Sequence, residues 1–343
     1  MKRSRRAVFA ATAGVMAASL AIPATSQAAD FNWRLQSNLN AGTPGYEAVK
    51  DQFVDRLEKM SGGRIKVEMF PVGSLFPVKE GLEAVGSGVV EIGMMTGGYF
   101  TGKMGPIAAL ESGVPGAERN STERYAFFYR KGFIDLAREA YAPHNVFYLG
   151  PNLSTPWEII SKKPLRSAKD FDGLKIRSFG IEAQWYESMG GSGVFLSGAE
   201  VYTALSTGVV DAVRWGSPAQ NFKIGLHEVG KYYIQPAPMP APNNNILINM
   251  DAWNSLPDDI KAMMDVAARM SSVEYLARST ALDAIALKKM QDVGIEVVTI
   301  PPDEWASMEA NVREIWGAYA EKDELAARGV ALLQDFLKDL GRM

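Results

Sequence analysis

Thiol chemistry and thiolate metal sites are excluded because the chain contains no cysteine, and its two histidines, His144 and His227, sit in unrelated segments. No H-E-x-x-H, G-x-S-x-G, G-x-G-x-x-G or phosphate-loop spacing occurs, so the inventory for nucleophilic or metal-assisted catalysis is poor. What the sequence offers instead is guanidinium and aromatic side chains at the ends of strand-like runs. Arg177 follows Leu174 and Ile176 and precedes Phe179, where an unpaired charge would be costly. A planar guanidinium gripping a carboxylate through two parallel hydrogen bonds accounts for such a residue. An internal salt bridge or an exposed position is the alternative. Arg214-Trp215 ends a second run before the breaker Gly216-Ser217-Pro218, and Trp215 suits either a ligand or the core. Tyr99 closes a third run after Gly97-Gly98, and Asn244 lies within Asn243-Asn244-Asn245, beyond a proline-rich crossover from Pro236 to Pro242. Tyr99, Phe179, Trp185 and Trp215 would admit an aromatic acid as well as a short aliphatic one.

These residues need strands and helices to hold them, and the hydrophobic pattern supplies both. Phe31 to Gln36 and Ile65 to Phe70 alternate as strands, with a helix between them carrying Val49, Phe53, Leu57 and Met60 at helical spacing. A short helix over 78–87 and a buried strand over 92–95 complete a β-α-β-α-β order, which favours a parallel sheet covered by helices. The same order begins again after residue 146 and runs to Trp215. Two comparable α/β units predict two lobes around a cleft, with ligand contacts at strand C-termini. From Asp258 to Val293 there is neither glycine nor proline. Ser255 is the expected N-cap, Pro257 falls in the first turn and Gly294 ends the helix. Such a helix would be roughly 54 Å long and would brace both lobes, unless it breaks at Ser271-Ser272. Residues 303–340 predict two amphipathic helices, with Trp305, Met308, Val312, Ile315 and Trp316 as a packing face.

Lys2, Arg3, Arg5 and Arg6 precede an apolar stretch over Ala7 to Ile22, and Ser26-Gln27-Ala28 satisfies the small-x-small rule for cleavage before Ala29. This predicts a secretory leader at 1–28 and a periplasmic mature protein, with Ser4-Arg5-Arg6 hinting at twin-arginine export. The apolar stretch is shorter than the ~20 residues of a spanning helix. Without cysteines, no disulfide helps in an oxidising compartment, and the fold rests on its core. The formal charge of −3 becomes −7 once those four basic residues are removed, which argues against a nucleic-acid partner.

At the residues singled out above the chain resembles the substrate-binding proteins of tripartite ATP-independent periplasmic (TRAP) transporters. The resemblance is carried by Phe171-Asp172-Gly173-Leu174-Lys175-Ile176-Arg177, by Met189-Gly190-Gly191, by Glu200 to Asp211, and by Asn249 to Pro257 leading into the long helix. It covers nearly all of the mature chain. It implies a two-lobe periplasmic binding protein fold of the α/β class (type II-like), with crossing hinge strands and a lobe-bridging helix. One lobe would be 29–152 with about 243–285. The other would be 153–242 with about 286–343, including the C-terminal helices. The arginine matching Arg177 would hold the ligand carboxylate while the lobes close.

Within that family the chain looks most like the branch for 2-oxo and 2-hydroxy acids, on the strength of Tyr99 within Gly97-Gly98-Tyr99-Phe100 and of Trp215 ahead of Lys223 to Tyr233. Members of that branch often hold a sodium or calcium ion against the ligand and dimerise by swapping C-terminal helices, so a homodimer through those helices is an expectation here. Two positions depart from the branch. Arg214 stands where it carries a metal-binding glutamate, and the region of Thr155 lacks its glutamine. A guanidinium cannot ligate a cation, and no acid is visible in residues 215–218 or 235–245. The expectation is a metal-free, cofactor-free site in which Arg214 takes the ion's place, built from Arg177, Arg214, Trp215, Tyr99, Phe179, Thr155 and Asn244. The resemblance implies a non-catalytic subunit that captures a small organic carboxylate for a TRAP membrane permease. A sensor feeding a histidine kinase, or a periplasmic enzyme acting on a carboxylate, is the alternative.

Overall fold

In the computed structural model, which describes residues 29–343, the strands in chain order are β1 (Phe31–Ser37), β2 (Ile65–Phe70), β3 (Ile92–Met95), β4 (Val146–Leu153), β5 (Trp157–Ser161), β6 (Lys175–Arg177), β7 (Ser192–Val194), β8 (Ala212–Arg214), β9 (Tyr232–Met239), β10 (Asn243–Asn249) and β11 (Glu296–Thr299). The leader expected at 1–28 lies outside the described residues. The strands form two sheets, ordered β2-β1-β3-β10-β4 and β11-β9-β5-β8-β6-β7. Parallel pairing holds for β1 with β2 and β3, and for β6 with β7 and β8. The sheets are nevertheless mixed, which corrects the expectation of parallel ones. β10 runs antiparallel to β3 and β4, and β5 runs antiparallel to β8 and β9. The cause is the double crossing between sheets. The chain leaves the first sheet through β4 into β5 and returns through β9 into β10, so outgoing and returning strands oppose each other. The ladder continues across the crossing, where the Ser154 N–H donates to the Pro242 carbonyl at 3.0 Å.

A helix of 35 residues, Asp258–Asp292, runs unbroken past Ser271-Ser272. Those two serines leave the helix intact because they bond to the end of β4. Ser271 Oγ accepts from Asn152 Nδ2 at 2.7 Å, and Ser272 Oγ accepts from the Leu153 N–H at 3.1 Å. The expected cap is displaced: Ser255 ends a short helix, Met250–Ser255, and Pro257 is the N-cap. Further along, Asp283 ties three segments together. Its carboxylate accepts from Thr155 Oγ1 at 2.6 Å, Ser217 Oγ at 2.7 Å and the Ala219 N–H at 2.9 Å. The long helix thus grips a crossing strand and the start of helix Pro218–Lys223, which follows the second sheet.

Helix Pro302–Ala320 buries Met308, Val312, Trp316 and Tyr319, with Trp305 and Ile315 half-buried. Helix Glu324–Asp339 packs on helices Pro106–Glu111 and Phe133–Tyr141, beside the first sheet. Its Gly329 faces Ile107, Leu110 and Phe133. The C-terminal helices therefore bury their apolar faces against their own chain. Among the described residues, no helix is long and apolar enough to cross a membrane.

Replacing Asp283 with alanine leaves two hydroxyls and one backbone N–H without an acceptor, at a cost of about 1–3 kcal/mol. A lower urea midpoint in Asp283→Ala at an unchanged denaturant slope is the expected result, read by circular dichroism.

Candidate functional site

Arg177 closes β6 and Arg214 closes β8, and these parallel strands are neighbours, so both guanidiniums emerge at one sheet edge. Each residue is 1 % exposed. Arg177 Nε donates to the Leu196 carbonyl and Nη1 to the Arg214 carbonyl, both at 3.0 Å, and Nη2 reaches the Tyr99 hydroxyl at 3.4 Å. Among the described residues no carboxylate bridges Arg177. Burial pulls its pKa below the ordinary arginine value, with the neighbouring Arg214 charge acting in the same direction.

Arg214 is placed differently. Its Nη2 is paired with the Glu182 carboxylate, whose other oxygen accepts from Tyr186 OH at 2.6 Å. Burial works against the Arg214 charge, but the Glu182 carboxylate outweighs it and raises the pKa. Nε and Nη1 of Arg214 are buried and have no hydrogen-bond partner. The expectation that no acid stands near Arg214 is corrected here. Glu182 arrives from helix Gly180–Ser188, which the left-handed Gly180 (φ 61°) turns away from β6. Its sequence signal was a carboxylate one turn from Trp185-Tyr186 at the start of an apolar helix face, which is where burial demands a partner.

Aromatic rings surround the pair. The guanidinium carbons of Arg177 and Arg214 lie 5.0 Å and 5.2 Å from the Phe179 ring centroid, and Arg214 also lies 5.4 Å from the Trp157 ring. Tyr99 meets Phe179 and Phe195 edge-on at 5.0 Å and 5.2 Å. Tyr99 follows the first sheet and Phe179 and Phe195 belong with the second, so these contacts close one lobe on the other. A Cβ on Gly98 would fall 2.5 Å from Phe179 Cδ2, so only glycine admits this approach. A cleft of about 540 Å³ opens beside them, lined by Phe76, Lys79, Phe195 and Glu200 among others.

Three other residues singled out in the sequence are bonded to partners other than the two arginines. Thr155 serves the crossing, bonded to Asp283, because its hydroxyl faces the long helix. Asn244 accepts from Asn38 Nδ2 at 2.8 Å on the first sheet. Trp185 is core: its indole donates to the Met308 carbonyl at 2.8 Å. Trp215 is buried beside Gly198, where a Cβ would sit 2.8 Å from its Nε1. Phe195, Lys79 and Glu182 were missed, because no local pattern says which loop meets which strand end.

The model of bacterial extracellular solute-binding protein family 7 (DctP) matches residues 35–323. A monocarboxylate 2-oxoacid-binding periplasmic protein of a Nostoc species is 31% identical over 271 residues, covering 78% of this chain and 74% of that one. Two solved structures share the fold. A TRAP transporter solute-binding protein from Bordetella bronchiseptica, with calcium and picolinate in its site, has a TM-score of 0.84 at 22% identity and covers 91% of this chain and 93% of its own. A TRAP periplasmic solute-binding protein from Pseudoalteromonas atlantica, with bound sodium and pyruvate, has a TM-score of 0.82 at 23% identity, covering 90% and 94%.

Both of those structures hold a cation. Among the described residues no group of three or more His, Cys, Asp or Glu is placed to hold a metal. Glu182, the carboxylate beside Arg214, has one oxygen on the guanidinium and the other on Tyr186. A guanidinium offers only donors, so Arg214 cannot itself ligate a cation. Ligand affinity is expected to survive exhaustive chelation and replacement of sodium by a bulky organic cation at constant ionic strength, measured by calorimetry. A loss of binding on removing either ion would overturn the expectation of a metal-free site.

Proposed function

The chain belongs to the DctP family of bacterial extracellular solute-binding proteins, and on that footing we propose that it captures a small organic carboxylate outside the cytoplasm by lobe closure and hands it to a TRAP membrane permease. The observation that carries this reading is Arg177, a guanidinium buried to 1 % exposure with two backbone carbonyls and a phenol as its protein partners and no carboxylate. A buried cation left without a counter-charge costs several kcal/mol. A ligand carboxylate supplies that charge and draws the closed form out of the open–closed equilibrium, because its contacts come from both lobes. The aromatic walls from Tyr99, Phe179 and Phe195 suit the apolar remainder of a 2-oxo, 2-hydroxy or aromatic acid. The Nostoc relative, named for monocarboxylate 2-oxoacids, supports the short-chain end of that range.

A thermal-shift screen of such carboxylates identifies the ligand, since ligand at about 100 times its Kd adds about 2.7 kcal/mol. Arg177→Lys keeps the charge but loses the planar fork. Its affinity for the acid found is expected to fall roughly 10–100-fold in calorimetry, with the unliganded melting temperature little changed. Unchanged affinity would place the anion elsewhere and remove the proposal's support.

A further inference from the structure

Four observations converge on Glu182. It is 2 % exposed, it neutralises Arg214, Tyr186 holds its second oxygen, and Arg214 keeps two buried N–H groups, Nε and Nη1, with no acceptor. Arg214 lines an interlobe cavity of about 10 Å³ with Gly98, Ser112, Phe179 and Met239, room for about one oxygen atom. The two guanidiniums both pack within 5.2 Å of the Phe179 ring, and Arg177 Nη1 donates to the Arg214 carbonyl at 3.0 Å.

The charges decide what that molecule is. Arg177, Arg214 and Glu182 together carry one net positive charge, and all three are buried. One carboxylate balances it. A second carboxylate would leave a net negative charge in a site of low dielectric, where uncompensated charge is expensive. The two orphaned donors of Arg214 still need acceptors, and a neutral oxygen satisfies them without adding charge. We propose that Glu182 is a specificity residue that acts through Arg214, restricting the ligand to a monoanion with a neutral oxygen acceptor close to its carboxylate. This rests on the carboxylate reading given above. Arg177 binds the carboxylate, the free face of Arg214 binds the neighbouring oxygen, and Glu182 cancels the charge that would otherwise welcome a dianion.

The test uses three acids of equal carbon number. 2-Hydroxybutanoate is a monoanion with the neighbouring oxygen, butanoate lacks that oxygen, and malate adds a second carboxylate. Calorimetry on the wild-type protein is expected to favour 2-hydroxybutanoate over each of the others by at least roughly tenfold. Glu182→Gln raises the site charge by one, and the ratio of affinities should move toward malate by at least roughly tenfold. The double variant Glu182→Gln/Arg214→Gln restores the wild-type charge. It should again disfavour malate while losing its discrimination against butanoate. The double variant buries no unpaired charge beyond the Arg177 guanidinium already present in the wild type, so it carries the test where Glu182→Gln alone does not fold. A malate ratio unmoved in Glu182→Gln, or a double variant that still rejects butanoate, overturns the role of Glu182. Wild-type protein that binds none of the three acids, or Arg177→Lys that binds them all normally, would instead strike at the carboxylate reading itself.

Discussion

A guanidinium taken out of water at the end of a strand must recover its hydration elsewhere, and the protein around Arg177 recovers it only in part. Carbonyls of Leu196 and Arg214 and the hydroxyl of Tyr99 satisfy its hydrogen bonds but not its charge. Burial accordingly drags its pKa down. The second sheet brings β6 and β8 side by side so that a backbone carbonyl of one steadies the guanidinium of the other. The first lobe contributes Tyr99 across the cleft. Together these arrangements leave a buried positive charge at the cleft with no carboxylate beside it.

The lobe closure proposed above requires the two lobes to separate and return to the same place. The crossing between sheets is two antiparallel strand runs that stay hydrogen-bonded to each other through Ser154 and Pro242. The long helix holds β4 through Ser271 and Ser272 and the second lobe through Asp283. Glycines at the cleft let the closed faces approach, with Gly98 making room for Phe179.

Arg214 and Glu182 show how one replacement needs another. In a relative holding sodium with pyruvate, an ion accompanies the acid. Here the Arg214 carbonyl accepts from Arg177, and a second buried arginine that close to Arg177 would be prohibitive without its own carboxylate. Glu182 removes that repulsion, and Tyr186 keeps Glu182 oriented. The result is a donor-rich pocket with a single excess positive charge.

Much of this was legible from residue order alone. Local pattern determined the strands over 31–36 and 65–70, a helical run from 258 without glycine or proline and the amphipathic pair after it, because helix and strand patterns are set by side chains a few positions apart, but it left open a break at Ser271-Ser272. The poverty of catalytic motifs and the position of Arg177 among apolar residues were legible for the same reason. The tertiary structure alone decided what long-range pairing creates. It inserted β10 antiparallel between β3 and β4, turned Thr155 toward Asp283, placed Trp185 in the core and brought Glu182 to Arg214, 32 residues away. A buried charge announces in the sequence that it needs a partner. Which residue becomes that partner depends on how strand ends and helix starts meet in space, and neighbouring residues carry no record of that meeting.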